Sequence, residues 1–159
     1  MVENAMFLQE TEARFARLYQ VAYGILRTRQ DAEDAVQQAL MKAWAARAGA
    51  HPETFGPWLA RIVVNECRNI QRYRMRVMPS ETVMPEDKPF APPDPDLWDA
   101  VQALPESLRL PLILKYVAQF TEREVAQTLR LPASTVKNRL AKSRKLLRAA
   151  LTEWEVSLE

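Results

Sequence analysis

The chain has 159 residues, 48% of them hydrophobic, enough to bury a core in one medium domain or two small ones and too many for wholesale disorder. Three Gly beside 11 Pro argue against long β meanders, which need Gly-rich turns, and favour an all-α fold. Net charge is only +2; one Cys and one His exclude a disulfide framework and argue against a zinc site, and no apolar run approaches the ~20 residues of a membrane span.

In chain order, residues 4–27 read as a helix, with Phe7, Leu8, Phe15, Leu18, Tyr19, Ala22, Ile25 and Leu26 at helical spacing. Asp31 is the expected N-cap of a second helix that reaches about residue 47. Its inner positions are Ala35, Val36, Ala39, Leu40, Ala43 and Trp44. Gly49, Pro52 and Gly56 mark a loop over residues 48–56, and Pro57 suits the first turn of a third helix ending near residue 74. Trp58, Leu59, Ile62, Val63 and Cys67 point inward there; Cys67 reads as a small buried hydrophobe. Residues 79–95 hold six Pro with acids between them, which reads as an extended, mobile linker. A second helical set begins near Asp96. Pro105 interrupts it, residues 108–120 are mostly apolar, Thr121 and Glu124 form a capping box, and a last helix runs from about Ala133 to at least Leu151. The expected organisation is therefore a first domain over residues 1–76, a linker over 77–95 and a second domain over 96–159.

The small net charge hides an asymmetry. Arg61, Arg68, Arg72, Arg74 and Arg76 crowd one basic block. Arg123, Arg130, Lys137, Arg139, Lys142, Arg144, Lys145 and Arg148 crowd another, and the acids of the linker lie between. Two basic surfaces around an acidic connector suit a polyanion, although ordinary solvated helix faces read the same way on charge alone.

Residues 121–140 have the pattern of a helix-turn-helix. Ala126 gives the small inner position that steeply crossed helices need, and Val125, Leu129, Leu131, Val136 and Leu140 give the apolar seam. The second helix would present Ser134, Thr135, Lys137, Asn138 and Lys142 outward. Asn and Lys read base edges, hydroxyls reach bases or phosphates, and Arg144 and Lys145 suit the backbone. Arg130 stands at the turn position that favours Gly, at a cost of about 1 kcal/mol. A helical hairpin with a basic face is the plainer alternative. In the first block, Asn65, Arg68, Asn69 and Arg72 share one helix face, beside a loop carrying His51 and Phe55. A loop beside a basic helix suits an unstacked base; the alternative is that Phe55 and Trp58 are core, and for Trp58 the core reading is favoured.

Taken together, these segments resemble the extracytoplasmic-function (ECF) sigma factors, the minimal two-domain group. The likeness rests on Asp31-Ala32-Glu33-Asp34-Ala35-Val36-Gln37-Gln38, Trp58-Leu59-Ala60-Arg61-Ile62-Val63-Val64-Asn65, Ala103-Leu104-Pro105-Glu106, Phe120-Thr121-Glu122-Arg123-Glu124-Val125-Ala126 and Thr135-Val136-Lys137-Asn138-Arg139-Leu140, in that order. The resemblance implies an alternative sigma factor that binds core RNA polymerase and directs promoter-specific initiation. Asp34, Gln37, Gln38 and Lys42 would dock on the clamp helices of the polymerase. His51, Phe55, Asn65, Arg68, Asn69 and Arg72 would take the minus-ten strand. The second domain would bind the flap and read the minus-thirty-five duplex through Ser134, Thr135, Lys137, Asn138, Lys142 and Arg144. It further implies an anti-sigma partner. With no apolar span and no signal peptide, cytoplasmic work without membrane insertion is expected, and with no nucleophile-base pair, metal set or Gly-rich phosphate loop, no cofactor and no enzymatic step. Ser134-Thr135 stands where the family often has Gly-Thr, and Asn138 where it usually has Ser, which bears on the promoter sequence read. The competing readings are a stand-alone helix-turn-helix repressor, and an interaction protein that imitates a sigma factor without touching DNA.

Overall fold

The computed structural model describes residues 2–77 and 95–152. Seven α-helices and two short 3-10 turns occur among them, with no strand. The linker expected at 77–95 falls almost wholly outside the described residues, as do the chain's last seven.

The first domain is three helices. α1 (Asn4–Leu26) buries Phe7, Leu18, Val21, Ala22, Ile25 and Leu26, whereas Leu8 and Phe15, which the apolar periodicity had counted inward, are exposed. Arg27 stops it in a left-handed conformation, its N–H returning to Tyr23 O at 2.8 Å. α2 (Arg29–Ala45) follows at once. Its N-cap is Thr28, whose hydroxyl accepts from the Asp31 N–H at 3.3 Å, and not Asp31 as the sequence suggested. Asp31 lies inside the first turn, buried, where its carboxylate takes the Arg74 guanidinium at 2.7 Å. The inner face of α2 is a ladder of fully buried alanines, Ala32, Ala35, Ala39 and Ala43. Such small side chains let the neighbouring helices approach closely. α3 (Phe55–Val77) starts two residues before Pro57 and inserts Leu59, Ala60, Val63, Val64 and Cys67. Burial pushes the Cys67 thiol up to about 12.

The second domain runs α4 (Pro95–Ala103), α5 (Glu106–Tyr116), α6 (Glu122–Leu129) and α7 (Ala133–Thr152). The capping box forms as the sequence indicates: Thr121 Oγ1 accepts from the Glu124 N–H at 3.1 Å, and Glu124 Oε1 accepts from the Thr121 N–H at 3.0 Å. Val125, Val136 and Leu140 are fully buried at the crossing of α6 and α7, with Ala126 beside them. Arg130 makes the turn at φ 55°, ψ 47°, the left-handed geometry foreseen for it. Ser143 fastens α7 to α5, its hydroxyl donating to Leu108 O at 3.2 Å from a fully buried position.

The two domains pack on each other, α3 against α6 and α1 against α5. α1 comes close because Gly24 carries no side chain; a Cβ there would lie 2.9 Å from Ile113 Cδ1. Guanidiniums hold the rest. Arg27 donates to Gln102 Oε1 at 3.0 Å and to Gln102 O at 2.5 Å, and Arg109 reaches the same carbonyl at 3.2 Å. Two cations thus sit on the negative end of α4. Burial, then the nearby Arg27, lowers the Arg109 guanidinium from its usual value. Arg61 does the equivalent for α6, donating to Thr128 O at 3.3 Å and to Gln127 O. No helix among the described residues is long and apolar enough to cross a membrane.

Candidate nucleic-acid interface

Helix α7 turns its basic side to solvent. Ser134, Lys137, Asn138 and Lys142 are exposed and Thr135 is half-buried, while Val136, Leu140, Ser143 and Leu147 point into the domain. The alternation follows from helical period, since positions 136, 140, 143 and 147 form one stripe and the polar residues fall between. The N-terminal half of α7 is therefore free to enter a groove. Arg144 is half-buried and donates to Tyr116 Oη at 3.4 Å, so its guanidinium is steered by α5. All six residues assigned to the second domain lie on one helix.

The first-domain set divides. Asn65, Asn69 and Arg72 are exposed on α3, and His51 is exposed in extended backbone between the two short turns Arg47–Gly49 and Pro52–Thr54. Arg68 shares their face but is half-buried, its Nε 4.0 Å from Glu106 Oε1 of the second domain. Phe55 does not join them. It is 1% exposed, with its ring edge-on to Phe7 at 5.6 Å between centroids and the Arg14 guanidinium 5.6 Å above it. A ring enclosed in this way has no face left for a base, so Phe55 is a core residue here. Trp58 is half-buried beside it at 5.6 Å.

On α2, Asp34, Gln37 and Gln38 are exposed as the pattern required, and Met41, not singled out from the sequence, continues the same stripe at 67% exposure. An exposed Met on a polar helix face is a feature of adaptable binding surfaces. Lys42 also reaches solvent, but its ammonium is paired with Glu66 of α3. Glu66 is 7% exposed. Its carboxylate also accepts from Asn69 Nδ2 at 3.5 Å, and Asn69 Oδ1 in turn accepts from the Arg72 guanidinium. The outer faces of α2 and α3 are thus joined through one buried acid. Sequence reasoning missed Glu66 because an acid in a basic helix looks like a solvated surface charge. It missed Arg61 because its partners are backbone carbonyls of the other domain. Their helical positions gave only a faint signal, each one residue off a strongly apolar stripe.

These surfaces have counterparts elsewhere. Residues 12–77 match the family described as Sigma-70 region 2, and residues 95–147 match Sigma-70, region 4. The chain is 30% identical over 144 residues to the RNA polymerase sigma factor SigV of Bacillus subtilis, covering 87% of each protein. It is 29% identical to the RNA polymerase sigma-H factor of Pseudomonas aeruginosa, over 77% of this chain and 74% of that one. Among solved structures it resembles the sigma factor RpoE of Bartonella quintana, crystallised with the anti-sigma factor NepR. The TM-score is 0.75 at 28% identity, over 92% of this chain and 96% of that one. CnrH in complex with the cytosolic domain of CnrY shares the fold at a TM-score of 0.71 and 22% identity, over 95% of this chain and 90% of that one.

Proposed function

Since this chain belongs to the sigma-70 family, in its extracytoplasmic-function group, and is an alternative sigma factor that directs transcription initiation, we propose a division of labour among its three exposed faces. The face of α2 formed by Asp34, Gln37, Gln38 and Met41, with Lys42 at its edge, docks on the polymerase clamp helices. The strip Asn65, Asn69 and Arg72 on α3, with Arg68 and the nearby His51, holds the opened minus-ten strand. Ser134, Thr135, Lys137, Asn138 and Lys142 on α7 read the minus-thirty-five duplex, and Arg144 takes backbone phosphate. The domains are residues 1–76 and 96–159, and the second also binds the flap.

The observation that supports this most is the separation of the three polar faces on three helices, each backed by its own buried stripe. Two weak readers carried on one chain and brought to one polymerase gain effective concentration without any new contact. The work is binding; no covalent step is needed, and the protein acts in the cytoplasm where its template is. The relatives solved with anti-sigma factors make such a partner the expected restraint on this chain too. A stand-alone repressor is disfavoured, because both halves of the chain, not the helix-turn-helix alone, match sigma-factor regions.

The test is run-off transcription with sigma-free core polymerase and a fragmented genomic library. Discrete start sites preceded by a shared two-part element are expected. Duplex binding by the protein alone, with no core-dependent starts, would return the repressor reading.

A further inference from the structure

Glu66 is a costly residue to keep where it stands. A carboxylate with 7% exposure must be compensated by charge and hydrogen bonds or it destabilises the fold. Its compensation comes from two sides. From α2, Lys42 supplies an ammonium on a side chain that is 57% exposed. From α3, Asn69 supplies an amide N–H at 3.5 Å. Asn69 can therefore present only its oxygen away from Glu66, and that oxygen accepts from Arg72. One buried acid decides which way the Asn69 amide points, and through it where the Arg72 guanidinium rests.

We propose that Glu66 is a positioning residue that couples the polymerase-docking face of α2 to the strand-reading strip of α3, through the chain Lys42–Glu66–Asn69–Arg72. The inference rests on the proposed roles of those two faces. Its direction follows from electrostatics. When a partner covers α2, water leaves the surroundings of Lys42, and the ion pair to Glu66 strengthens as the local dielectric falls. A firmer pair holds Asn69 and Arg72 in one orientation, so the strip meets its strand already ordered. Core docking then sharpens base reading by a residue that touches neither polymerase nor DNA. An amide reads a base edge only when its donor and acceptor ends are fixed; a flipped amide offers the wrong pattern.

The readout is base discrimination rather than affinity, because removing a negative charge near a strand raises affinity for any sequence. Holoenzyme is assembled at saturating core polymerase, so that altered core affinity does not enter. The probe is a labelled single-stranded oligonucleotide carrying the non-template minus-ten strand of a promoter mapped by run-off transcription, compared with base-substituted versions. Glu66→Gln is expected to reduce discrimination about tenfold, the size of one charge-assisted contact. Lys42→Ala, on another helix, is expected to lose a similar factor. The double variant is expected to lose no more than either alone. Should Glu66→Gln fail to fold, Asn69→Leu breaks the chain at an exposed position, and the cycle of Lys42→Ala with Asn69→Leu gives the same readout. Losses that multiply in the double variant, or unchanged discrimination in Lys42→Ala, would overturn the coupling. Asn65→Ala separates this from the underlying reading, since Asn65 lies on the strip but outside the chain. If it weakens strand binding while the Lys42 and Glu66 effects are independent, only the coupling falls. If Asn65→Ala, Asn69→Ala and Arg72→Ala all leave strand binding intact, the reading of α3 falls with it.

Discussion

Replacing Arg61 with Ala should loosen the two domains without unfolding either. Arg61 projects from α3 and donates to Thr128 O at 3.3 Å and to Gln127 O, the last-turn carbonyls of α6. Those carbonyls have no partner within their own helix and carry its negative end, which is why a cation is favourable there. Two effects lower the guanidinium from its usual value, burial first and then the nearby Arg130, but it stays charged at any working pH. A charge-assisted hydrogen bond contributes about 1.5–3 kcal/mol. Here one half-buried group serves two acceptors, so the lower end, about 1.5 kcal/mol for the contact, is the working figure. That is roughly tenfold in the ratio of docked to separated domains. Dyes placed at Ala13→Cys on α1 and Ala149→Cys on α7, both exposed, would report docking by energy transfer. Cys67 is fully buried and would stay unlabelled. Arg61→Ala should lose transfer at lower urea than the parent, while the far-ultraviolet circular dichroism melt of the helices holds. Arg61→Lys, which keeps the charge but not the fork, should fall between. Equal midpoints for Arg61→Ala and parent would refute the assignment of docking energy to this contact.

Other outcomes follow from single residues. Arg130→Gly should raise stability by about 1 kcal/mol in thermal or urea unfolding, because φ 55° is strained for a side chain and the change also removes a cation near Arg61. Thr121→Ala should cost about 1 kcal/mol by removing one half of the capping box, seen as a lower urea midpoint. Cys67 should add an alkaline instability. Its thiol is held up at about 12 when folded against an ordinary 9.0, so above pH 9 the unfolded state releases a proton the folded state keeps. Stability should then fall with rising pH by up to about 1.4 kcal/mol per unit, and Cys67→Ala should show a shallower loss from pH 9 to 12. Lys137→Ala should relax base preference in duplex binding; a loss uniform across sequences, with the salt slope lowered by about one phosphate contact, would reassign that ammonium to the backbone.

What was legible in the sequence was whatever local pattern decides. The capping box at Thr121 and Glu124, the seam of Val125, Val136 and Leu140, and the left-handed turn at Arg130 all depend on residues within a few positions of one another, and each appears where the spacing put it. The outward faces of α2 and α7 were legible for the same reason, although Trp44, read as an inner position of α2, is exposed. The misses come from contacts distant in sequence. Phe55 was left between base contact and core because Phe7 and Arg14, which enclose it, are on α1. Asp31 looked like a cap because nothing nearby announces its ion pair with Arg74 at the far end of α3. The cap itself is Thr28, three residues earlier, which the sequence reading passed over. The docking role of Lys42 was what the resemblance implied; its pairing to Glu66 was not legible, because it depends on the packing of α2 against α3.

The central claim is that α7 and α3 read different promoter elements, and a base-preference profile tests it most directly. Holoenzymes carrying Lys137→Ala with Asn138→Ala, or Asn65→Ala with Asn69→Ala, would transcribe a library randomised across both elements of a mapped promoter. The α7 pair should relax preference in the upstream element alone, and the α3 pair in the minus-ten element alone. Relaxation of the same element by both pairs, or a uniform loss of transcription with every base preference unchanged, would contradict the account.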